Sequence, residues 1–281
     1  MGGDKMKGSI LSLFAETSLH PGVGQVVGAV DLPVAREKTT GYPVIVGSSL
    51  KGALRDKAEQ VWGEKEEKLK RIFGESNQAG SLLITDARLL LLPVRSLPGP
   101  FKWVTCPYIL ERLKRDGELM GLSWDFDIPD PGDKALVQEE MGELFLEEIV
   151  FSTSKGKDLN KIVETLKEFI THDSVKKRLE TQLVIIDDKE FQYFAQYGLP
   201  VNARNVLNKN KTSENLWYEE VIPGDTLFYS LIFERKLTDN QDDLSEVESL
   251  FKKNPYLQVG GNETIGQGWC RIKWLSGGES K

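Results

Sequence analysis

Residues 225–234 carry the sequence DTLFYSLIFE, and this run decides the fold. Most of its side chains are aromatic or branched aliphatic, which strands favour because such side chains pack well on a pleated surface. The run begins and ends with a carboxylate and is shorter than a typical buried helix. It predicts a β-strand late in the chain.

The segments around this run alternate between strand and helix. A helix is predicted from about Asp243 to Lys253, then a last strand, WCRIKWL, from Trp269, and a first strand at 8–17, GSILSLFAET. Further elements are predicted at Tyr42–Val46 (strand), Leu50–Gly74 (helix capped by Ser48 or Ser49 and stopped by Gly74), Leu82–Pro93 (strand), Trp103–Met120 (strand, then helix) and Leu159–Glu180 (helix). This order predicts one α+β domain of the split β-α-β kind with large insertions.

The composition excludes several classes of protein. The chain has 281 residues, of which 40% are hydrophobic and 28% charged, as in an ordinary globular protein. Two cysteines, Cys106 and Cys270, cannot build a disulfide framework or a four-thiolate zinc site, and two histidines argue against any structural zinc. No apolar run is long enough for a signal peptide or a membrane span. We therefore expect a cytoplasmic protein without a membrane partner.

Charge is distributed unevenly along the chain. The net charge is −7, yet residues 116–150 carry eleven carboxylates against one basic side chain, Lys134. This segment therefore sums to −10 and the rest of the chain to +3. Attraction to phosphate depends on the local potential, so an acidic total does not exclude a nucleic-acid partner. The acidic segment itself is typical of a solvated insertion.

The segment GSSLKGALR, at 47–55, combines features that suit a nucleic-acid backbone. Lys51 and Arg55 are four residues apart, so they share one face of the predicted helix. Ser48 and Ser49 bring two hydroxyls to the helix N-terminus, where free amides favour phosphate. A capped helix with two solvated cations explains the same residues, and the sequence alone leaves both interpretations open.

A glycine cluster precedes the last strand. Within nine residues it contains Gly260, Gly261, Gly266 and Gly268. Glycines permit a close approach of the backbone to another group, and their amides can form an anion-binding nest. A connection that packs tightly against its own domain is the alternative.

A polar and basic stretch occupies residues 202–218. Its basic side chains are Arg204, Lys209 and Lys211, and few core candidates precede Leu216. The stretch predicts an exposed hairpin or loop, with a flexible excursion as the alternative.

Candidates for catalysis are few. Asp31 is the one carboxylate in a glycine-rich loop, where an aspartate is usually a turn or cap residue. His20 precedes a proline and has no second histidine near it in the sequence. Glu219 and Glu220 are expected to be solvated. No nucleophile elbow, paired-histidine motif or GxxxxGK[ST] loop occurs.

The order and spacing of these segments resemble the RAMP superfamily of CRISPR proteins, and within it the repeating backbone subunits of type III-B (Cmr) effector complexes. The resemblance rests on HPG at 20–22, VDLP at 30–33, RE at 36–37, TGYP at 40–43 and GSSLKGALR at 47–55. Phe73–Gly74, GSLLITDAR at 80–88 and the glycine cluster continue it over nearly the whole chain. The acidic middle is the least similar part.

The resemblance implies a ferredoxin-like, RRM-like core with large insertions that include a thumb. We expect a single RAMP domain over residues 1–281, with its core at about 8–95 and 221–275 and an inserted lobe and thumb at about 96–220. The implied partners are a CRISPR guide RNA, single-stranded target RNA, other Cmr subunits and further copies stacked along the guide, in antiviral defence.

The resemblance also implies an RNA-guided endoribonuclease that cuts the target at regular intervals. Asp31 corresponds to the family's catalytic aspartate, with His20 and Glu219 or Glu220 as weaker assistants. One carboxylate cannot build a two-metal site, so we infer that the target's own 2′-hydroxyl attacks the phosphate. In this reaction Asp31 accepts the proton of the hydroxyl, orients the hydroxyl or holds a divalent ion, Mg²⁺ or Mn²⁺. RNA contacts are implied for Ser48, Ser49, Lys51, Arg55, Arg36, the four glycines Gly260, Gly261, Gly266 and Gly268, and the thumb residues Arg204, Lys209 and Lys211.

Two alternatives stay open. The same architecture without cleavage would be an RNA-binding scaffold, which differs only at Asp31 and its assistants. An enzyme that processes precursor CRISPR RNA without metal needs a general acid–base set, which two distant histidines support poorly. A backbone subunit should form longer assemblies on longer guides, whereas a processing enzyme should bind one RNA hairpin.

Overall fold

The computed structural model describes residues 7–25, 27–64, 66–235 and 242–276. In these ranges the chain forms one mixed sheet of twelve strands with associated helices, and a separate two-stranded hairpin. The strands are β1 (Lys7–Ala15), β2 (Val44–Ile45), β3 (Leu82–Ile84), β4 (Ala87–Arg95), β5 (Phe101–Thr105), β6 (Ala135–Val137), β7 (Glu143–Leu146), β8 (Ile149–Lys155), β9 (Leu183–Ile185), β10 (Val201–Leu207), β11 (Ser213–Glu220), β12 (Leu227–Glu234), β13 (Tyr256–Gln258) and β14 (Trp269–Ser276). The helices are α1 (Gly47–Trp62), α2 (Glu67–Phe73), α3 (Pro107–Leu119), α4 (Leu159–Glu168), α5 (Asp173–Gln182), α6 (Asp188–Tyr197) and α7 (Asp243–Ser249).

The strand predicted at 225–234 is confirmed as β12 and lies inside the sheet. It pairs with β1 on one side and with β3 and β4 on the other, and β1 also pairs with β14. All these pairings are antiparallel. Cross-strand neighbours such as Leu13 and Phe228 are fully buried, and each such side chain contributes roughly 1.5–3 kcal/mol to folding.

Three of the predicted elements are interrupted. The helix predicted to end at Gly74 is two helices, because Gly63, with φ +97°, stops α1 after Trp62. Lys65, which lies between the two helices, is outside the described residues. The strand predicted over 82–93 divides into β3 and β4 at residues 85–86, and the helix predicted over 159–180 divides into α4 and α5. Gly74, with φ +79°, does end α2, which confirms the predicted stop.

The segment between β4 and the hairpin extends the same sheet. β5 pairs antiparallel with β4 and parallel with β9, and β6, β8 and β7 follow beyond β9. Nine of the eleven carboxylates at 116–150 are exposed, as predicted for a solvated insertion. Asp116 is buried instead, and its Oδ2 accepts hydrogen bonds from Arg88 Nη1 at 2.5 Å and from the Tyr229 hydroxyl at 2.8 Å. Within the described ranges, no helix combines the length and apolar character needed to cross a membrane.

Candidate nucleic-acid interface

The first turn of α1 holds the two serines. The helix begins at Gly47, whose amide donates to Asp86 Oδ1 at 2.7 Å, across 39 residues of sequence. The prediction that Ser48 or Ser49 caps the helix is therefore wrong, since both lie inside its first turn. Their side chains are exposed and form no hydrogen bond with any described residue, so both hydroxyls are available to a ligand.

The two basic residues that follow differ in their contacts. Arg55 donates from Nε to Glu59 Oε1 at 2.7 Å and from Nη1 to the Gly74 carbonyl oxygen at 3.0 Å. Lys51 has no hydrogen bond or ion pair with any described residue. Lys51 is therefore the more available cation on this helix.

A groove of about 420 Å³ lies between α1 and the C-terminal strands. Its walls include Ser49, Gly52 and Lys57 from α1, and Tyr256, Gly260 and Trp269 from the opposite side. The structure thus brings two segments that the sequence singled out, α1 and the glycine cluster, to one cleft.

Lys57 is a groove residue that the sequence analysis missed. It is 9% exposed, its Nζ donates to the Tyr256 carbonyl oxygen at 2.8 Å, and it lies 4.9 Å from the centre of the Phe251 ring. Burial lowers the pKa of Lys57. Because an ammonium group has three donors and this one has a single carbonyl partner, it can donate to a ligand in the groove. In sequence, Lys57 is one of several charged residues of a helix, and no pattern sets it apart.

The glycine cluster packs against its own domain. Three of its amides donate to backbone carbonyl oxygens at 2.9–3.0 Å: Gly261 to His20, Gly268 to Ser18 and Gly266 to Glu263. At Gly260, where φ is +84°, a Cβ atom would lie 2.8 Å from the His20 carbonyl oxygen. The predicted anion nest is wrong for these three amides, since each already has an acceptor. Tight packing, the alternative, is what the cluster provides.

The loop that carries Asp31 is fastened along β11. Asp31 Oδ2 accepts a hydrogen bond from the Tyr218 amide at 2.8 Å. Leu32 then donates its amide to the Tyr218 carbonyl oxygen at 3.1 Å and accepts from the Glu220 amide at 3.0 Å, as in a short parallel ladder. Asp31 is half-buried, and its Oδ1 has no hydrogen bond to a described residue, so this oxygen is free to meet a substrate.

Glu220 clamps the same loop from β11. It is buried, so the expectation that it is solvated is wrong. Its Oε2 accepts from the Val34 amide at 3.0 Å and its Oε1 from Arg36 Nη2 at 2.6 Å. The loop is therefore held on β11 by side-chain and backbone hydrogen bonds together.

Arg36 extends this clamp to α6. Its Nη1 donates to the carbonyl oxygens of Gly41 at 2.8 Å and Ala195 at 2.6 Å, and its Nη2 donates to that of Gln196 at 3.3 Å. The structure thus gives Arg36 a role within the fold, while its contact with RNA stays a prediction.

Glu219, also expected to be solvated, is buried as well. Its Oε1 accepts from Arg204 Nη1 at 3.2 Å, on β10, and from Asn262 Nδ2 at 2.7 Å, in the glycine cluster. Glu219 therefore joins the hairpin to the glycine cluster.

His20 lies beside these glutamates. Its Nδ1 is 2.8 Å from the Glu220 carbonyl oxygen, and because a carbonyl only accepts, Nδ1 donates this hydrogen bond. The ring is 8% exposed and closely covered by Gly22, where a Cβ atom would lie 2.6 Å from Nε2. The structure thus gathers His20, Asp31, Glu219 and Glu220 around the end of β11.

β10 and β11 form the exposed hairpin that residues 202–218 predict. Lys209 and Lys211 are exposed in its turn, at the far end from Asp31. Arg204 lies opposite Trp217, with its guanidinium 6.0 Å from the ring centre, and is tied to Glu219. The three basic residues therefore do not form one patch.

The residues around Asp31 do not build a metal site by themselves. Among the described residues, no group of three or more His, Cys, Asp and Glu side chains could hold a metal ion. The nearest carboxylates, Glu219 and Glu220, are committed to Arg204 and Arg36. Magnesium requires near-octahedral oxygen coordination, so Asp31 alone would supply a minority of its ligands.

Comparison with known proteins first defines the class. The sequence model of the RAMP superfamily matches residues 13–271. The chain therefore belongs to the RAMP superfamily.

Two relatives show to which group within the superfamily the chain belongs. The CRISPR system Cmr endoribonuclease Cmr4 of Pyrococcus furiosus is 38% identical over 282 residues, which cover 95% of each chain. The CMR subunit Cmr4 of Saccharolobus solfataricus is 26% identical, over 93% of this chain and 94% of that one. Within the superfamily, the chain is a member of the Cmr4 family.

Solved structures share the fold. A crystal structure of oligomeric Cmr4 from P. furiosus has a TM-score of 0.78 and 33% identity, and the alignment covers 96% of this chain and 98% of that one. A chain in the cryo-EM structure of the type III-B Cmr-beta complex bound to cognate target RNA has a TM-score of 0.77 over 96% and 98% of the two chains; at 22% identity this similarity is one of fold.

Proposed function

We propose that this chain is the repeating backbone subunit of a type III-B Cmr effector complex, which binds a guide RNA and cleaves the complementary target RNA in antiviral defence. Membership of the Cmr4 family supports this function, because the P. furiosus relative is an endoribonuclease of the Cmr system. The observation that carries it is the fastening of the Asp31 loop to the hairpin, which leaves Oδ1 of Asp31 without a hydrogen bond to a described residue. That the P. furiosus protein is oligomeric supports copies stacked along one guide.

The guide is proposed to lie on α1 and its groove. Ser48, Ser49 and Lys51 have donors that no described residue uses, and Lys57 has donors to spare within the groove. Contacts from hydroxyl and ammonium groups to phosphate and ribose do not depend on sequence, as a guide of variable sequence requires. Gly260 lies on the opposite wall of the groove, where it packs against the His20 carbonyl oxygen. Arg55 and the other glycines contribute less directly, since their polar groups already have partners in the fold.

Cleavage is proposed at Asp31. The target's 2′-oxygen attacks the adjacent phosphorus, the 5′-oxygen leaves and takes up a proton from water, and a 2′,3′-cyclic phosphate remains. Asp31 Oδ1 accepts the proton of the attacking hydroxyl, while Oδ2 stays bonded to the Tyr218 amide and keeps the carboxylate in place. In-line attack needs a distorted RNA backbone, and the hairpin is the thumb that displaces a nucleotide, with Lys209 and Lys211 meeting phosphates at its tip.

The other three candidates, His20, Glu219 and Glu220, support the structure of the site and do not take part in the chemical step. Glu219 and Glu220 are buried and bonded to arginines, so neither reaches a substrate without breaking its own contacts. The Nε2 atom of His20 is covered by Gly22, and the His20 carbonyl oxygen accepts the Gly261 amide, which suits a support for the glycine cluster better than proton transfer. Asp31 is therefore the catalytic residue of this proposal, and Mg²⁺ or Mn²⁺ would take most of its ligands from water and RNA oxygens.

We further infer a ferredoxin-like core within one RAMP domain, located in the cytoplasm. The order β14-β1-β12-β4, antiparallel throughout, with α1 and α7 in the connections, supports the core. The inserted lobe extends the same sheet, which supports a single domain. Both cysteines are free and buried, as suits a reducing compartment.

A scaffold without cleavage is the second candidate. The observation in its favour is that Asp31 accepts the Tyr218 amide, as an ordinary loop aspartate would. The two functions share every guide contact and differ in the need for the Asp31 charge.

Cleavage of target RNA by the reconstituted guide complex tests the proposal, with Asp31→Ala and Asp31→Asn compared. Asparagine keeps an acceptor for the Tyr218 amide but is no base. We expect both variants to bind target normally and to lose 10²- to 10⁴-fold in cleavage rate, roughly the usual contribution of a general base. Unchanged cleavage in both variants would support the function of a scaffold that does not cleave RNA. Loss of cleavage in Asp31→Ala alone would show that Asp31 only supports the loop through its hydrogen bond with the Tyr218 amide.

A further inference from the structure

The exposed face of α6 carries an aromatic stripe. Lys189, Tyr193 and Tyr197 recur at every fourth position, so they share one side of the helix. Tyr193 is 39% and Tyr197 72% exposed, and their ring centroids are 5.5 Å apart. The buried face of the helix consists of Phe191, Phe194 and Ala195. The core is thus built without the outer rings, so core packing does not account for two aromatic side chains on this face.

The C-terminal end of α6 is hydrogen-bonded to the chain segment that follows Asp31. Arg36, which binds Glu220 beside the Asp31 loop, also donates to the carbonyl oxygens of Ala195 and Gln196, the two residues before Tyr197. Just after α6, the Pro200 carbonyl oxygen accepts the Val221 amide, which follows β11 directly. Hydrogen bonds therefore tie the C-terminal end of α6, where Tyr197 lies, to Arg36 and to the base of the hairpin, and neither tyrosine lines the α1 groove.

We propose that Tyr193 and Tyr197 form a stacking site for an unpaired base of the target strand, next to the point of cleavage. This inference rests on the proposed function, because it takes the Asp31 side of the molecule as the place where the target strand passes. Aromatic side chains stack on any base, so the site would not restrict the target sequence. A base held there would fix the nucleotide whose backbone must turn for in-line attack.

The surroundings favour a base over a phosphate or a protein. Glu148 accepts a hydrogen bond from the Tyr193 hydroxyl, and its charge would repel a phosphate but not a neutral base. Two rings flanked by Gln192, Gln196 and Lys189 offer much less apolar surface than a stable protein interface requires.

The test uses the complete guide-bound complex and RNAs that carry 2-aminopurine, a base whose fluorescence falls when it stacks. The label is placed at successive positions of the target strand in one series and of the guide in another. The variants are Tyr197→Ala, Tyr193→Ala and Tyr197→Phe. Leu97→Ala is the matched control, since Leu97 is a large apolar side chain that is 76% exposed in the turn between β4 and β5.

We expect one target position per subunit to gain fluorescence in the alanine variants, and target affinity to fall by about fivefold to a hundredfold per ring. Tyr197→Phe and Leu97→Ala should match the wild type. Unchanged affinity and fluorescence in Tyr197→Ala would overturn the proposal, as would a response from the guide label alone. Shorter assemblies on the guide would overturn it in favour of a contact between subunits. The binding measurement does not require cleavage, so its failure is distinct from failure of the Asp31 mechanism.

Discussion

Replacing Glu220 by alanine should weaken both the fold and the cleavage step. Glu220 is 7% exposed and bonds the Val34 amide and the Arg36 guanidinium. Removal of one member of a buried ion pair costs about 3–5 kcal/mol. The Arg36 side chain is 22% exposed and keeps three backbone carbonyl partners, so we expect the lower end, about 3 kcal/mol of unfolding free energy. For a chain of this length the melting temperature should fall by roughly 5 °C.

The effect on cleavage should exceed any effect on guide binding. The backbone ladder between Leu32 and β11 survives the substitution, but the loop after Asp31 loses its clamp. Imprecise placement of the carboxylate should lower the single-turnover cleavage rate by about tenfold to a hundredfold. Glu220→Gln retains an acceptor for the Val34 amide, so it should lose about 1–2 kcal/mol and most of its cleavage rate should remain.

Thermal unfolding of the chain and single-turnover cleavage across a range of pH measure these quantities. A positioning role leaves the pH profile of the Glu220→Gln variant unchanged. If Glu220→Gln cleaves as slowly as Glu220→Ala and one ionisation disappears from its pH–rate profile, then Glu220 transfers a proton and does not merely position the Asp31 loop. A Glu220→Ala chain with normal stability and normal cleavage would refute it equally.

Three further predictions concern the guide-binding side. Asp86→Ala removes the cap of α1, which should cost about 1 kcal/mol in thermal unfolding and weaken guide binding. Gly268→Ala places a Cβ atom 2.5 Å from the Val259 carbonyl oxygen at φ +93° and should cost roughly 1–3 kcal/mol, whereas Gly52→Ala, with nothing within 4 Å, should be neutral or stabilising. Lys57→Met should weaken guide binding and lower its salt slope by about 0.7. Burial lowers the pKa of Lys57, so the charged form of this side chain destabilises the folded chain at neutral pH. Methionine carries no proton at this position. Any increase in melting temperature of Lys57→Met over wild type should therefore become smaller as the pH rises toward the ordinary lysine pKa.

Local patterns in the sequence predicted a large part of this architecture. The strands at 8–17 and 225–234, the exposed hairpin and the stop at Gly74 follow from side-chain type, charge and glycine position within a few residues. Such signals act over one turn or one strand, so they survive in almost any tertiary context. The order of short motifs also identified the RAMP family and directed attention to Asp31.

The sequence by itself thus determined the strands, the hairpin, the family and the loop aspartate. Only the tertiary structure decided which groups meet: Asp86 caps α1, Lys57 enters the groove, and the glycine amides are already bonded. Glu219 and Glu220 look like solvated residues at a strand end, yet they are buried because loops from elsewhere cover them. The hydrogen bond between Asp31 and Tyr218 joins residues 187 positions apart. Contacts of that range depend on how whole elements pack, and they leave no periodic trace in either segment.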